Sequence, residues 1–198
     1  MYISTNSISV FPLAKNRPND RSARLFYENN VANLIRQVVD VEGFLISKEN
    51  PVLSVSATAG SDNFTEINIS IDRPLVFNLY GYYFSVGANA VIYKNEQFDA
   101  AVSNKIKQSL YAVLHIDSIT NEIKGFDNVN REYEGLHIST DPNVGDSAGR
   151  HILKLLDFEA SVDADGNWTV TSALCSESYQ KISSYSLDMA INKIDGKH

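Results

Sequence analysis

The stretch Leu75 to Tyr93, LVFNLYGYYFSVGANAVIY, constrains the fold more than any other part of the chain. Three short aromatic and β-branched runs, punctuated by Gly81 and Gly87, read as the middle of an antiparallel sheet. Tyr82, Phe84 and Val86 fall on one side of an extended chain, with Tyr83 and Ser85 on the other; Ala88, Ala90 and Ile92 then oppose Asn89, Val91 and Tyr93. Gly87 is the expected reversal between these two runs, because glycine takes positive φ without a Cβ clash. Upstream, Ile67, Ile69 and Ile71 alternate with Glu66, Asn68 and Ser70, a strand with one wet face. Arg73-Pro74 ends it, since proline cannot donate to a ladder.

Around this centre the remaining signals give a mainly β (α+β) chain: an antiparallel β-sandwich or partly open barrel, one N-terminal amphipathic helix and a short C-terminal helix. Residues 1–21 read as an arm, 22–174 as the helix plus the β-rich domain, and 175–198 as a C-terminal segment. In the arm, Ile8 to Leu13 runs extended into the polar loop Lys15 to Asp20; such an arm must dock, on its own domain or on a neighbouring subunit. The helix spans Ser22 to Val39, capped by Asp20 or Ser22 and stopped by Gly43. Its apolar stripe is Tyr27, Val31, Leu34, Ile35 and Val38. Further strands are expected at Phe44–Ser47, Val52–Ala57, around Leu110–Ile116, at Leu136–Thr140, over Ile152–Val162 and from Trp168. Asp163 to Asn167 is a hairpin connection. Lys94 to Gln108 holds either a short helix around Ala100–Lys107 or a long connection, and a second helix is expected within Ser184–Ile194.

Composition bounds the function. The chain has 198 residues, 43% of them hydrophobic and 21% charged, enough for one packed domain. The net charge of −7, without a cluster of Lys and Arg, argues against a nucleic-acid surface. The one cysteine, Cys175, excludes an intrachain disulfide and a multi-cysteine zinc site. MYISTNSISV lacks the basic and apolar regions of a secretory signal, and no window approaches the roughly 18 uninterrupted apolar residues of a membrane helix. The expectation is a chain made in a reducing cytoplasm that engages no nucleic acid, no membrane and no cofactor.

Several short patterns touch on chemistry. Gly145-Asp146-Ser147-Ala148-Gly149 matches the G-x-S-x-G of hydrolases, but Pro142 and Asn143 stand where a strand should feed the elbow, and His151 is too near to complete a triad. Asp163, Asp165, Gly166 and Asn167 resemble the start of a calcium loop, yet Ser172 sits where its bidentate glutamate belongs. His115, His137, His151 and His198 show no metal-ligand spacing, although His115 and His137 lie on strands that can meet. Glu132, Glu134 and Asp117 make an uninformative carboxylate set in a chain with 24 acidic residues. Tyr80, Tyr82, Tyr83 and Trp168 could form a sugar-binding platform, though tyrosine is also favoured on half-buried pleated surfaces. No catalytic, cofactor or metal residues are assigned.

A series of blocks in order carries a resemblance. These are Phe11-Pro12; Ala23-Arg24-Leu25-Phe26-Tyr27-Glu28-Asn29-Asn30 with Asn33-Leu34-Ile35; Gly43-Phe44; Gly81-Tyr82-Tyr83-Phe84; Leu110-Tyr111-Ala112; Tyr133-Glu134-Gly135-Leu136; and Leu153-Lys154-Leu155-Leu156. The series resembles virion structural proteins of large tailed bacteriophages, of the tail, baseplate or fibre-attachment kind and of the crAss-like group. The resemblance implies a non-enzymatic adaptor, present in several copies in the virion and made in the bacterial host cytoplasm. Its partners would be further copies of itself and other virion tail proteins. No fibre shaft or repeated receptor-binding module follows, which favours an adaptor or collar over a tip. On this reading the subunit-contact candidates are Phe11, Pro12, Leu13, Arg17, Arg21, Arg24, Glu28, Asn29 and Arg36, on the arm and the polar helix face. The rival readings are a carbohydrate or host-surface binding module and a small serine hydrolase acting through Ser147.

Overall fold

Alternating apolar side chains along most of the chain give a set of strands: β1 (Ile8–Val10), β2 (Gly43–Leu45), β3 (Leu53–Ala59), β4 (Thr65–Ile71), β5 (Leu75–Leu79), β6 (Tyr82–Val86), β7 (Val91–Phe98), β8 (Lys105–His115), β9 (Leu136–Ser139), β10 (Arg150–Val162) and β11 (Trp168–Leu174). The computed structural model describes residues 8–10, 30, 32–33, 35–36, 42–60, 64–120, 123–124, 135–145 and 147–175. The strands form three antiparallel sheets, ordered β1-β6-β5-β2, β3-β4-β7 and β11-β10-β8-β9. The chain is mainly β, a sandwich in which no described sheet closes into a barrel. One continuous core joins all three sheets, running from Ile67, Ile69 and Ile71 through Phe77 and Phe84 to Leu110, Leu114 and Leu156. Aromatic contacts pin the faces together: Tyr93 of β7 meets Phe158 of β10 at 5.9 Å, and Phe98 of β7 meets Trp168 of β11 at 5.3 Å.

The β5–β6 hairpin is the tightest local structure. Leu79 pairs with Tyr82, so only Tyr80 and Gly81 make the turn, with φ of 51° and 86°. Two positive φ values define the primed turn whose twist matches the flanking strands. Gly81 is required twice over, because a Cβ there would also lie 2.3 Å from the Ala32 carbonyl oxygen. The Asn78 side chain closes the turn by accepting from the Gly81 N–H at 3.1 Å.

Gly87 is not the reversal that the alternation predicts. Val86 pairs within the first sheet, with Leu75 and Ile8, whereas Val91 pairs with Ser70 in another. The chain changes sheets here instead of folding back, and Asn89, at φ 63°, supplies the left-handed residue. Asparagine tolerates that conformation better than most side chains. The backbone N–H of Asn89 donates to Ile71 at 2.7 Å, which ties the crossover to the end of β4.

A second correction concerns Ala100–Lys107, which holds no helix. β7 continues to Phe98 and β8 begins at Lys105. Between them Asp99 organises a turn, its carboxylate accepting from Ala101 N–H and its carbonyl from Val102 and Ser103. Between the two strands Val102 is the one large apolar residue and is 83% exposed, and Ile106 is buried as part of β8, so a helix here would have no face to bury. β2 is also shorter than Phe44–Ser47: Ile46 and Ser47 both donate to the Val76 carbonyl, a shared acceptor that ends the regular ladder.

Of the Ser22–Val39 helix, Asn30, Ala32, Asn33, Ile35 and Arg36 are described and have helical backbone. Ile35 of the expected stripe is 6% exposed and Ala32 is 1% exposed, so Ala32 belongs to the buried side as well. The arm docks on its own domain through Ile8–Val10, which pair with Val86–Phe84 of β6. The expected Ser184–Ile194 helix lies outside the described residues. So do most of the arm and most of segment 175–198.

Candidate functional site

Free strand edges are the most reactive surface of a sheet, because each presents a row of backbone donors and acceptors that another strand can satisfy. Most edges here are blunted. β1 and β2 have three residues each and β9 has four. β7 carries Lys94 and Glu96 and pairs with β4 through two register shifts. The remaining two edges differ. β3, LSVSATA, and β11, WTVTSAL, are seven residues long and contain no charged residue and no proline. Among the described residues, no strand pairs with the outer side of either one.

Both edges lie on one rim of the sandwich. Ser172 Oγ donates to the Pro51 carbonyl at 2.6 Å, and the Leu174 N–H donates to Asn50 Oδ1 at 2.8 Å, which joins the end of β11 to the start of β3. Along β3, Leu53 and Val55 are half-buried, whereas Ser54 and every residue from Ser56 to Gly60 are exposed. Val52, just before it, is 63% exposed. The rim is thus uncharged, extended and hydrogen-bond competent. Its signal in the sequence is the lack of charge, which alternation alone does not reveal.

Eight of the nine subunit-contact candidates, Phe11, Pro12, Leu13, Arg17, Arg21, Arg24, Glu28 and Asn29, lie outside the described residues. The ninth, Arg36, engages its own chain: its guanidinium donates to the Tyr80 carbonyl at 2.6 Å and to Asn33 Oδ1, and lies 4.1 Å over the Tyr80 ring. His151, paired with Glu42, stacks on that ring at 4.0 Å. This Arg36–Tyr80–His151 stack clamps the helix and the β5–β6 turn onto β10.

The tyrosine platform does not form. Tyr82 is 2% exposed, Tyr80 is held in the clamp, and Trp168 packs on Phe98. Tyr83 packs edge-on against Phe44, and burial pushes its hydroxyl pKa up. A different concave surface exists on the outer face of β8, β10 and β11, a groove of about 450 Å³ whose lining includes Lys107, Ser109, Tyr111, Asp157, Glu159 and Thr171. Burial works against the Asp157 carboxylate there, but hydrogen bonds from Lys154 and Ser109 outweigh it and its pKa is lowered.

The Gly145–Gly149 segment runs from a loop into β10, not from a strand into a helix, and Ser147 is exposed. Its glycines have packing reasons: at positive φ, a Cβ on Gly145 would strike the His115 ring at 2.6 Å, and one on Gly149 the Ile116 carbonyl oxygen at 2.1 Å. His115 and His137 do meet, with ring centroids 5.4 Å apart, and His115 Nε2 lies 3.2 Å from the Val144 carbonyl. Burial, and then the neighbouring His115, lower the His137 pKa. The Asp163 carboxylate is occupied by its own turn, accepting from the N–H groups of Asp165 and Asn167 and from the Asn167 side chain. Asp117 likewise accepts from Ile119 and Thr120, whereas Glu132 and Glu134 fall outside the described residues. Among the described residues no group of three His, Cys, Asp or Glu side chains is placed to hold a metal ion, and no helix is long and apolar enough to cross a membrane.

No protein-family model, no curated protein and no solved structure matches this chain.

Proposed function

We propose that this chain is a non-enzymatic virion structural protein, a tail, baseplate or fibre-attachment adaptor of a tailed bacteriophage that assembles with copies of itself and with other tail proteins. The observation that carries this reading is the rim on which two uncharged seven-residue edges, β3 and β11, lie side by side. A β protein that works alone protects its edges with charge, proline, bulges or brevity; a subunit leaves an edge for its neighbour. The ordered blocks from Phe11 to Leu156 that resemble phage tail proteins supply the kind of assembly.

The test is recovery. Tailed-phage particles purified on a density gradient from a host that produces this chain should contain it in several copies per particle by quantitative mass spectrometry. A chain left wholly in the soluble fraction, with intact particles lacking it, refutes the proposal. The groove beside Tyr111 favours a second reading, a glycan-binding module, since its mixed donors and acceptors suit sugar hydroxyls. Glycan-array binding that is lost on Tyr111→Ala would support that reading, and a blank array would remove it.

A further inference from the structure

We infer that β3 is a self-complementary docking edge, on which β3 of a second copy pairs antiparallel about a two-fold axis at Ser56. This rests on the assembly reading above and names the partner. The β4 side of the strand fixes which groups are free. Asp72 N–H donates to the Val52 carbonyl and Gly60 N–H to the Phe64 carbonyl, so even-numbered residues of this strand direct their backbone groups at β4. By alternation, Leu53, Val55, Ala57 and Ala59 direct theirs outward.

An antiparallel partner must offer the same alternation in reverse. With the axis at Ser56, Leu53 faces Ala59 of the second copy and Val55 faces its Ala57, so every outward group meets an outward group. The pairing forms up to about eight backbone hydrogen bonds. Ser54 then lies opposite Thr58, and Ser56 opposite itself. Each larger apolar side chain meets an alanine, which leaves room for both. The exposed Val52 comes to face Gly60, a contact that covers it. The result is one six-stranded sheet, β7-β4-β3 continued by the same three strands in reverse order.

One observation favours this edge over β11, and a second favours a further copy of the chain as its occupant. Asn50 and Pro51 already engage the end of β11, taking the Leu174 N–H and the Ser172 hydroxyl. Each copy also carries a net charge of −7, and a seven-residue strand without a charge is where two such molecules approach at least electrostatic cost. A closed two-fold contact of this kind is isologous and ends at the dimer.

The test uses the full chain and light scattering across a concentration series. Ser56→Lys and Ser56→Glu each place two like charges face to face at the axis; each alone should weaken dimerisation at least tenfold, and an equimolar mixture should restore it. Ala57→Pro removes only an outward donor and spares the β3–β4 ladder, so it too should yield a folded monomer. Circular dichroism checks folding of each variant. Dimers that persist unchanged in the Ser56 variants and Ala57→Pro overturn the inference and leave the assembly reading standing. A wild-type chain that stays monomeric at millimolar concentration also overturns it, and recovery from particles then decides the assembly reading separately.

Discussion

Gly81 and Gly166 share a backbone conformation but not an environment, which makes them a controlled pair. Their φ values are 86° and 83°, so alanine at either site incurs the same left-handed strain, about 1–2 kcal/mol. Around Gly166 a Cβ meets nothing within 4 Å, and the cost stops there. At Gly81 the added carbon would lie 2.3 Å from the Ala32 carbonyl oxygen and 3.0 Å from its Cα, so the helix backbone must move away from the hairpin. Overpacking of that order costs about 1–3 kcal/mol more. Gly81→Ala should therefore lose about 2–5 kcal/mol and Gly166→Ala about 1–2 kcal/mol. Urea unfolding followed by tryptophan fluorescence reads the difference: with a slope of about 2 kcal/mol/M, the midpoints should fall by about 1–2.5 M and about 0.5–1 M respectively. Equal shifts for the two variants would refute the claim that the Ala32 approach adds to the turn's own demand for glycine at position 81.

Asn89→Ala should cost about 1 kcal/mol and Asn89→Gly should be neutral or slightly stabilising in the same assay, because the position needs φ of 63° and not the side chain. Phe77→Ala should cost about 3–5 kcal/mol, since the ring is 0% exposed and packs at 5.5 Å on Phe84; its thermal midpoint by calorimetry should drop accordingly. His137, whose pKa burial and then His115 hold below the ordinary 6.5, binds its proton less readily when folded. Its contribution is intact above pH 6.5 and declines as pH falls through 6.5 towards the lower folded value. Urea midpoints measured from pH 8 to pH 5 should therefore fall, and His137→Gln should flatten that slope.

Strand positions were legible wherever one face is wet. Ile67, Ile69 and Ile71 are all at most 1% exposed beside half-buried Glu66, Asn68 and Ser70, and the period of two is unmistakable. The Asp163–Asn167 hairpin was legible too, because the turn is local and its hydrogen bonds run from Asp163 to residues two to four positions on. Sheet membership was not. Nothing near Gly87 distinguishes a hairpin from a crossover, since that choice depends on whether Val91 finds Ser70 or a nearer strand, a contact 21 positions back along the chain. The pairing of His115 with His137 was legible only as adjacency of strands, because the one-residue register that puts both rings on one face is set by the β8–β9 ladder.

The rim was hidden for a different reason: its signal is an omission. With 21% of the chain charged, the 14 residues of β3 and β11 would carry about three charges by composition alone, and they carry none. Charge-free strands are not unusual in themselves. β5 and β6 also have none, but they are paired on both sides and seven of their ten residues, taken from Leu75, Phe77, Asn78, Leu79, Tyr82, Phe84 and Val86, are at most 2% exposed. There, burial excludes charge. At β3 four consecutive residues, Ser56 to Ala59, are exposed and burial cannot be the cause. Solvent alone would favour lysine or glutamate at Ser54, Ser56 and Thr58, as it does at Lys94 and Glu96 on the β7 edge. The assembly proposed above accounts for the omission, because a second polypeptide at this edge would have to desolvate any charge there. Replacing Ser54, Ser56 and Thr58 by lysine together should thus leave the folded monomer as stable as before within about 1 kcal/mol, because all three side chains face water. On the assembly proposed above, the same triple substitution should abolish incorporation into particles. Normal incorporation of that variant would show that the β3 edge has no neighbour.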